Sequence, residues 1–358
     1  DDDAGIDDDA GIDDDAGIDD DAGISVGTPA PNSLDIRSAN LNLLHGNNCG
    51  ASLGFCRLAD RVTLLFQWIV DSGCPDVITL QEVNDEAVPL LRAAQGSACP
   101  FPYIDAYIRY NGDDDQYILS RYPILDVANQ ALHPIGFRSV TFARIDHPAG
   151  VLDVFTTHLI SGNDGASGSG NDPCAEFVLT NPSLWVCPAE CAAEGEVTRR
   201  ECEAIQLLRF VEEKHTGGGP ALVTGDLNDP PTGPSYGRFI AAGLVDTHLA
   251  AGNPECSQAV PTSCTGVRSA SLGSLESPAA PAGGVRIDYT FLLPATSASA
   301  CTATIEPAGD LDDDGTATGT FAATRNPFAP TCGAPPAPPC WVSDHAGSQA
   351  DLSCNSSP

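Results

Sequence analysis

The chain has 358 residues, enough for one large α/β domain or two small ones. It carries 49 acidic against 16 basic residues, so its formal net charge at pH 7 is −33. Because affinity for nucleic acid rests largely on Lys and Arg that neutralise phosphates, this charge argues against a general polyanion-binding surface. If the chain acts on phosphate esters, metal ions must supply the positive charge.

Four identical copies of DDDAGI occupy residues 1–24, which contain 12 Asp and no basic residue. An aliphatic residue every six positions resembles the hexapeptide repeat of left-handed β-helices, but four copies make little more than one coil. The repeat is either a flexible acidic arm or a segment for self-assembly or Ca²⁺ binding, since stacked carboxylates need cations between them. Residues 25–33 are predicted to be a linker and residues 34–358 the folded domain.

The 14 cysteines are too many for a typical cytosolic enzyme, and their spacings do not repeat as CxxC pairs. They indicate disulfides formed in an oxidising compartment rather than zinc sites, and we expect the protein to be secreted. Four pairs are close enough along the chain to act as local staples: Cys49/Cys56, Cys187/Cys191, Cys256/Cys264 and Cys332/Cys340. No apolar run approaches the roughly 18 residues that cross a bilayer, so no transmembrane segment is predicted.

Strand and helix patterns alternate from Leu34 onward. Apolar residues share one face of a predicted amphipathic helix over residues 57–70, and Thr198 with Glu201 forms a capping box at the start of a second helix. Three irregular segments, 161–196, 251–284 and 295–340, resemble loop insertions and contain cysteines. Because long irregular loops need staples or a function, we expect disulfides in these insertions.

Polar and ionisable residues come at the ends of five separate apolar strands. Ionisable groups are costly at such positions unless they are paired or bind a metal, so we expect them to converge on one site. The five segments are Gln81-Glu82, Thr157-His158, Asp226-Leu227-Asn228, Ile287-Asp288 and Asp344-His345.

Six motifs stand in an order that resembles the endonuclease/exonuclease/phosphatase superfamily. They are NLLHG (42–46), LQEV (80–83), THL (157–159), GDLND (225–229), RIDY (286–289) and SDHAG (343–347). The resemblance implies an α/β (α+β) fold, a four-layered sandwich of two mixed β-sheets flanked by helices, here with disulfide-stapled loop insertions. It also implies metal-dependent hydrolysis of a phosphate ester.

The resemblance assigns two metal ligands, Glu82 and Asp344. A lone carboxylate that shares its ion with water and substrate phosphate suits Mg²⁺ or Mn²⁺. Ca²⁺ is a further candidate as a structural ion. The runs Asp113–Asp115 and Asp312–Asp314 are interpreted as solvated loops, with weak Ca²⁺ sites as the alternative.

The same resemblance assigns the catalytic residues. His345 draws a proton from the attacking water and is oriented by Asp288, while Asp226 and Asn228 hold that water and contact the scissile phosphate. His158 supports phosphate binding or leaving-group protonation. Two residues are assigned to substrate binding: Asn42, which we favour over Asn40, and Arg121 in ILSRYPI.

The sequence is consistent with three hypotheses about substrate and function. A secreted nuclease that hydrolyses phosphodiester bonds is the first hypothesis, and a sphingomyelinase-like or other small-molecule phosphodiesterase or phosphatase is the second. The third is a subunit of an extracellular fibre that assembles through residues 1–24 and carries the phosphoesterase domain as a decoration.

Overall fold

The computed structural model describes residues 35–112, 114–132, 138–148, 150–162, 169–175, 187–266, 269–277, 284–295, 302–305, 319–321 and 339–355. The acidic repeat, the linker, Cys332 and the run Asp312–Asp314 lie outside these residues. The expectations stated for those parts of the chain therefore stay predictions.

Strands rich in β-branched and apolar residues build a first mixed sheet. Its members are β1 (Ile36–Asn42), β2 (Val77–Val83), β3 (Ile104–Tyr107), β4 (Asp115–Ser120), β11 (Thr302–Ile305), β12 (Gly319–Phe321) and β13 (Gly347–Asn355). Their spatial order is β11, β13, β1, β2, β4, β3, and β12 also pairs with β13. Strands β1 and β2 run parallel, so their carboxyl ends lie at the same edge of the sheet.

A second mixed sheet repeats this arrangement. It contains β5 (Ile124–Leu132), β6 (Arg138–His147), β7 (Gly150–His158), β8 (Ala221–Asp226), β9 (Val245–Asp246) and β10 (Asp288–Leu293). The order is β5, β6, β7, β8, β10, β9. Strands β7 and β8 form the parallel pair of this sheet.

Helices cover the outer face of each sheet. The described residues form α1 (Gly54–Asp71), α2 (Ala87–Gln95), α3 (Ala189–Ala192), α4 (Arg199–Lys214), α5 (Pro234–Ala241), α6 (Thr247–Ala250) and α7 (Leu272–Leu275). Helices α1 and α2 pack on the first sheet, and α4 and α5 pack on the second. None of the helices in the described ranges is both long and apolar enough to cross a membrane.

The two sheets pack face to face through a third apolar core. Ile36 and Val77 of the first sheet meet Ile145, Val154 and Leu222 of the second in this core. The order helix, sheet, sheet, helix confirms the predicted four-layered sandwich. The resulting hydrophobic burial is the main stabilising contribution to such a fold.

Both predicted helices form, and their ends follow from local chemistry. In α4 the hydroxyl of Thr198 accepts a hydrogen bond from the Glu201 amide, and the Glu201 carboxylate accepts one from the Thr198 amide. In α1 the first residues, Phe55–Arg57, have positive φ angles, and the right-handed helix follows them. The regular part of α1 therefore begins at Leu58, one residue after the predicted start at residue 57.

Five disulfides connect described cysteines and hold the loops. They are Cys49–Cys56, Cys74–Cys99, Cys174–Cys187, Cys191–Cys202 and Cys256–Cys264. Two predicted staples, Cys49/Cys56 and Cys256/Cys264, are confirmed. The predicted pair Cys187/Cys191 is wrong, because the short helix α3 carries Cys191 towards Cys202 on α4, and Cys187 pairs back to Cys174.

A buried ion pair joins β6 to β7 at the end of the sandwich remote from the carboxyl end of β7. The carboxylate of Asp153 accepts bonds from Arg144 Nε at 2.7 Å and Arg144 Nη2 at 3.0 Å, and lies 3.0 Å from His215 Nδ1. Burial alone would raise the pKa of Asp153, but the bonds from His215 and Arg144 lower it below its ordinary value. The charged carboxylate therefore stabilises the fold above the pKa of unfolded Asp, about 4, and this stabilisation is lost as the pH falls through the lower folded pKa.

We expect Asp153→Asn to lower the free energy of unfolding by about 1–3 kcal/mol at pH 7, because the Asn side chain cannot replace the paired carboxylate. The difference from wild type should shrink below about pH 4, where the pKa of the unfolded carboxyl lies. Denaturant unfolding at pH 7 and pH 3 measures both values. Asp146→Asn, an exposed change on the neighbouring strand β6, is the control and should change neither. A destabilisation that is the same at both pH values would contradict this account.

Candidate active site

The two parallel strand pairs bring the predicted polar residues to one edge of the sandwich. Asn42 at the end of β1 lies opposite Gln81 on β2, and His158 at the end of β7 lies opposite Asp226 on β8. Asp226 in turn pairs with Asp288, the first residue of the antiparallel strand β10. Residues far apart along the chain therefore meet because the strands that carry them end together.

Asn42 links the two sheets at this edge. Its Nδ2 donates to Glu82 Oε1 at 2.9 Å and to Asp226 Oδ2 at 3.0 Å. Asn40 lies deeper between the sheets, where its Oδ1 accepts from Thr79 and Gln81. The preference for Asn42 as the site residue therefore agrees with the placement of both side chains.

A bulge in β2 presents Glu82 to the site. The pairing of β2 with β4 shifts between Leu80 and Val83, and Glu82 has a φ of 55°. Its Oε2 accepts a bond from the His45 amide at 3.1 Å and lies 3.6 Å from His45 Nε2. Burial acts to raise the pKa of Glu82, but the neighbouring His45 and the Asn42 bond contribute to lowering it to about 2. Glu82 is thus ionised at neutral pH.

His345 and Asp288 form a close pair. His345 Nδ1 lies 2.8 Å from Asp288 Oδ2 and 3.8 Å from Asp226 Oδ2. Burial acts to lower the pKa of His345, but the charge and hydrogen bond of Asp288 raise it well above its ordinary value. The Nε2 atom of His345 makes no hydrogen bond with a described residue.

His158 lies beside Asp226 in a different environment. Its Nδ1 is 2.9 Å from Asp114 Oδ1, and its Nε2 is 2.9 Å from Asn228 Nδ2. Arg138 pairs with the other oxygen of Asp114. Burial, followed by the charge of Arg138, lowers the pKa of His158, the opposite direction from the shift at His345.

The interpretation of the run Asp113–Asp115 as a solvated loop is wrong for the two Asp that the structure describes. Asp114 contacts His158 and Arg138, and Asp115 is buried, where it accepts bonds from the Tyr107 hydroxyl and from the Asn111 and Gly112 amides. Sequence reasoning missed both Asp114 and Arg138. The alternating residue pattern of DQYILS (115–120) predicts the strand. It does not show in which direction the side chain of the preceding Asp114 points.

A glycine permits the neighbouring strands β7 and β8 of the second sheet to approach each other beside Asp226. Gly225 has a φ of 142°, and a Cβ there would lie 2.0 Å from the Thr157 carbonyl oxygen. The first position of the GDLND motif is therefore a requirement of strand packing. It holds Asp226 next to His158 on the neighbouring strand.

The buried Arg61 of α1 holds together the loops that carry site residues. Its guanidinium donates to five backbone carbonyls, those of Leu43, Leu44, Phe55, Cys56 and Val342. Burial lowers the pKa of Arg61 to about 10, against the raising effect of Asp344 and Glu82. Arg61 thereby ties the NLLHG loop to the SDHAG loop and adds a positive charge behind their carboxylates.

Of the two remaining predicted site residues, Asp344 lies near Glu82, whereas Arg121 lies away from the site. Burial raises the pKa of Asp344, and the charge of Glu82 adds to this, so these two predicted metal ligands belong to one electrostatic cluster. Arg121 lies at the other end of β2, where it donates to the Cys74 carbonyl and pairs with Asp76 at 3.5 Å. The structure thus does not bring Arg121 to the site, and its assignment to substrate binding disagrees with this position.

The donor set fits a hard divalent cation. Three buried carboxylates and the half-buried Glu82 lie near His345 and Arg61, and Asp288 Oδ1 is buried without a hydrogen-bond partner among the described residues. The carboxylates are Glu82, Asp226, Asp288 and Asp344. Asp226, Asp288 and His345 also place ligand atoms within 4.8 Å of one another. The closeness of His345 reflects its hydrogen bond to Asp288, so we regard the carboxylates as the metal-binding groups.

Comparison with known proteins decides the family. The sequence model of the endonuclease/exonuclease/phosphatase family matches residues 38–345. The chain belongs to this family. Its members are phosphoesterase hydrolases that typically use divalent metals. No curated protein is significantly similar to the chain in sequence.

Solved structures of family members share the fold at low identity. An endonuclease/exonuclease/phosphatase from Bacteroides vulgatus is 18% identical, with a TM-score of 0.56, over 90% of this chain and 99% of its own. The D. rerio TDP2 complex with single-strand DNA product is 16% identical with a TM-score of 0.56, over 89% and 98%. The human Nocturnin catalytic domain with bound sulfate is 17% identical with a TM-score of 0.52, over 90% and 96%.

We expect Arg61→Met to lower the free energy of unfolding by more than about 3 kcal/mol, because it leaves five buried carbonyl groups without a donor. Arg61→Lys keeps a charge but has fewer donors, so an intermediate loss is expected. Denaturant titration followed by circular dichroism measures both. Wild-type stability in Arg61→Met would show that Arg61 does not hold these loops.

Proposed function

We propose that the chain is a secreted, divalent-metal-dependent phosphodiesterase whose first candidate substrate is nucleic acid. The observation that carries the proposal is the convergence of Glu82, Asn42, Asp226 and the His345–Asp288 pair at one edge of a family fold. The disulfides support an oxidising compartment. The TDP2 structure that contains DNA product supports a nucleic-acid substrate by analogy.

The positions of His345 and Asp226 and the directions of their pKa shifts support a division of the proton transfers. Because the charge and hydrogen bond of Asp288 act to raise the pKa of His345, we propose His345 as the donor to the leaving oxygen rather than as the acceptor that the sequence suggested. Burial, and then the charge of Asp288, raises the pKa of Asp226, which supports Asp226 as the acceptor for the proton of the attacking water. One proton enters at Asp226 and one leaves from His345 as water attacks phosphorus and the phosphorus–oxygen ester bond breaks.

Glu82 and Asp344 would hold the metal ion, with Mg²⁺ or Mn²⁺ as the ions suited to carboxylate oxygens. Once bound, such an ion polarises a phosphoryl oxygen and offsets charge in the transition state. Asn42 fixes the Glu82 and Asp226 carboxylates in their relative positions through its two hydrogen bonds. Ca²⁺ as a structural ion stays a prediction.

The decisive experiment is hydrolysis of plasmid DNA, RNA, sphingomyelin and bis-p-nitrophenyl phosphate with Mg²⁺, Mn²⁺ and Ca²⁺ in turn. We expect metal-dependent cleavage, abolished by chelation and lowered about 10²–10⁴-fold in Glu82→Gln and in His345→Gln. Arg121→Gln is the matched control, because Arg121 lies at the far end of β2 and should leave KM unchanged. Absence of cleavage by folded, metal-loaded protein would refute the proposal.

A small-molecule phosphodiester or a sphingomyelin-like lipid is the second candidate substrate. The described cations near these loops already have acidic partners: Arg109 pairs with Asp85 at 2.6 Å, and Arg57 pairs with Asp60 and Glu276. A long polyanion would find few free cations along this part of the chain. Cleavage of sphingomyelin or the aryl diester without cleavage of DNA or RNA would favour this candidate.

The fibre hypothesis rests on residues 1–24, which lie outside the described residues, and it stays a prediction. It is compatible with the enzyme proposal, because one concerns the repeat and the other the folded domain. Sedimentation of the full chain with and without Ca²⁺ tests it, and a calcium-dependent rise in mass is the expected result.

A further inference from the structure

Arg200 in the first turn of α4 contacts the chain where it leaves both parallel strands of the second sheet. Only 3% of the Arg200 surface is exposed. Its Nε donates to the carbonyl of Ile160, shortly after the end of β7, at 2.7 Å. Its Nη1 lies 3.3 Å from Oδ1 of Asp229, shortly after the end of β8. One buried guanidinium therefore joins the two loops that follow these strands.

A second charged side chain of α4 holds the same segment. The Ile160 amide donates to Glu203 Oε2 at 2.7 Å, and both residues are fully buried. The carbonyl of Ile160 thus binds a cation and its amide binds an anion, and the two charged groups lie about one helical turn apart on α4. Because hydrogen bonds to charged groups are stronger than those between neutral groups, α4 fixes the position of Ile160.

The disulfide-stapled insertion packs against this contact. Arg200 Nη1 also donates to Asn171 Oδ1 at 2.9 Å, and the Arg200 amide donates to the Gly170 carbonyl at 3.0 Å. A Cβ at Gly170 would lie 2.6 Å from the Ile160 carbonyl oxygen and 2.8 Å from Arg200 Nη2. The close approach of the insertion therefore requires glycine at position 170.

Asn228 lies between the two anchored loops in a strained backbone conformation. Its φ of 50° is in the left-handed region, which is uncommon for a residue other than glycine and persists only where the surrounding structure holds it. Its Nδ2 donates at 2.9 Å to the carbonyl of Leu159, the residue before Ile160, and its backbone continues directly into Asp229. Arg200 therefore fixes the chain beside both the side-chain contact and the backbone of Asn228.

We propose that Arg200 is a positioning residue that holds Asn228 at the active site by fixing the segments on either side of it. This inference rests on the proposed phosphodiesterase function and on the role that the family resemblance assigns to Asn228. Because Arg200 is almost fully buried, it acts through Asn228 and not by touching the substrate. Without its guanidinium, the Ile160 carbonyl and the Asp229 carboxylate lose the donor that they share, and the left-handed conformation of Asn228 loses its support.

A double-mutant cycle with Asn228 tests this route. We expect Arg200→Met to lower kcat for bis-p-nitrophenyl phosphate about 10–10²-fold, because even a small displacement of a group at the reacting centre is costly. In the Asn228→Ala background the same change should lower kcat less than about threefold, since the residue through which Arg200 acts is already absent. A loss that is equally large in both backgrounds would overturn the inference.

Two further variants and a matched control separate positioning from a general loss of stability. Arg200→Lys keeps one charged donor and should recover at least about threefold of the kcat lost in Arg200→Met. Gly170→Ala keeps every charge but displaces the Ile160 carbonyl, so it should also lower kcat. Arg144→Met breaks the ion pair with Asp153 and should lower stability while kcat per folded molecule stays at the wild-type value. Wild-type kcat in both Arg200→Met and Gly170→Ala would contradict the positioning role.

Hydrogen–deuterium exchange followed by mass spectrometry tests the positioning without turnover. The Ile160 and Asn228 amides donate to side chains in the wild type. Arg200→Met should therefore raise exchange in residues 158–162 and 226–229 more than in β6. Unchanged exchange in these two segments would overturn the inference even if the variant is inactive. Failure of the wild type to hydrolyse any substrate, together with the expected exchange, would instead refute the proposed function and keep the positioning of Asn228.

Discussion

Repulsion between buried carboxylates is the constraint on which the site depends. The fold places Glu82, Asp226, Asp288 and Asp344 at one edge of two sheets, where water screens them poorly. Each carboxylate therefore has a nearby donor: Asn42 bridges two of them, His345 pairs with the third, and the Ser343 hydroxyl donates to the fourth. A divalent ion would complete this neutralisation, so catalysis and stability of the folded edge share the same charges.

The surrounding structure keeps these groups apart at fixed distances. Gly225 lets β8 approach β7 closely enough to align Asp226 with His158, and Arg61 fastens two loops that contribute site residues. Between the sheets, polar contacts such as Gln81 with Thr156 replace the apolar core near the site. Along the strands, the contacts between the two sheets thus change from apolar packing to hydrogen bonds. The closely packed apolar part supports the polar part near the site.

Sequence patterns predicted the parts that local rules determine. The apolar face of α1, the capping box of α4 and the polar residues that end β1, β2, β7 and β8 follow from short-range periodicity. The order of the motifs, through the family resemblance, also predicted the four-layered sandwich and the pairing of His345 with Asp288. Partners from outside the motifs were not predictable, because Asp114, which precedes β4 of the first sheet, meets Arg138 and His158 of the second sheet only through the packing of the two sheets. The sequence does indicate a special role for Arg61, because it is a charged residue on the apolar face of its helix.

The two histidines show why a motif cannot assign a chemical role by itself. Both follow apolar segments and both lie within 4 Å of the Asp226 carboxylate. Their partners differ: Asp288 lies 2.8 Å from Nδ1 of His345, whereas Nδ1 of His158 has both Asp114 and Arg138 as neighbours and Nε2 lies 2.9 Å from the Asn228 amide. The charge of Asp288 acts to raise the pKa of His345, and burial followed by the charge of Arg138 lowers the pKa of His158. The opposite directions of the two pKa shifts are thus decided by partners that sequence spacing does not encode.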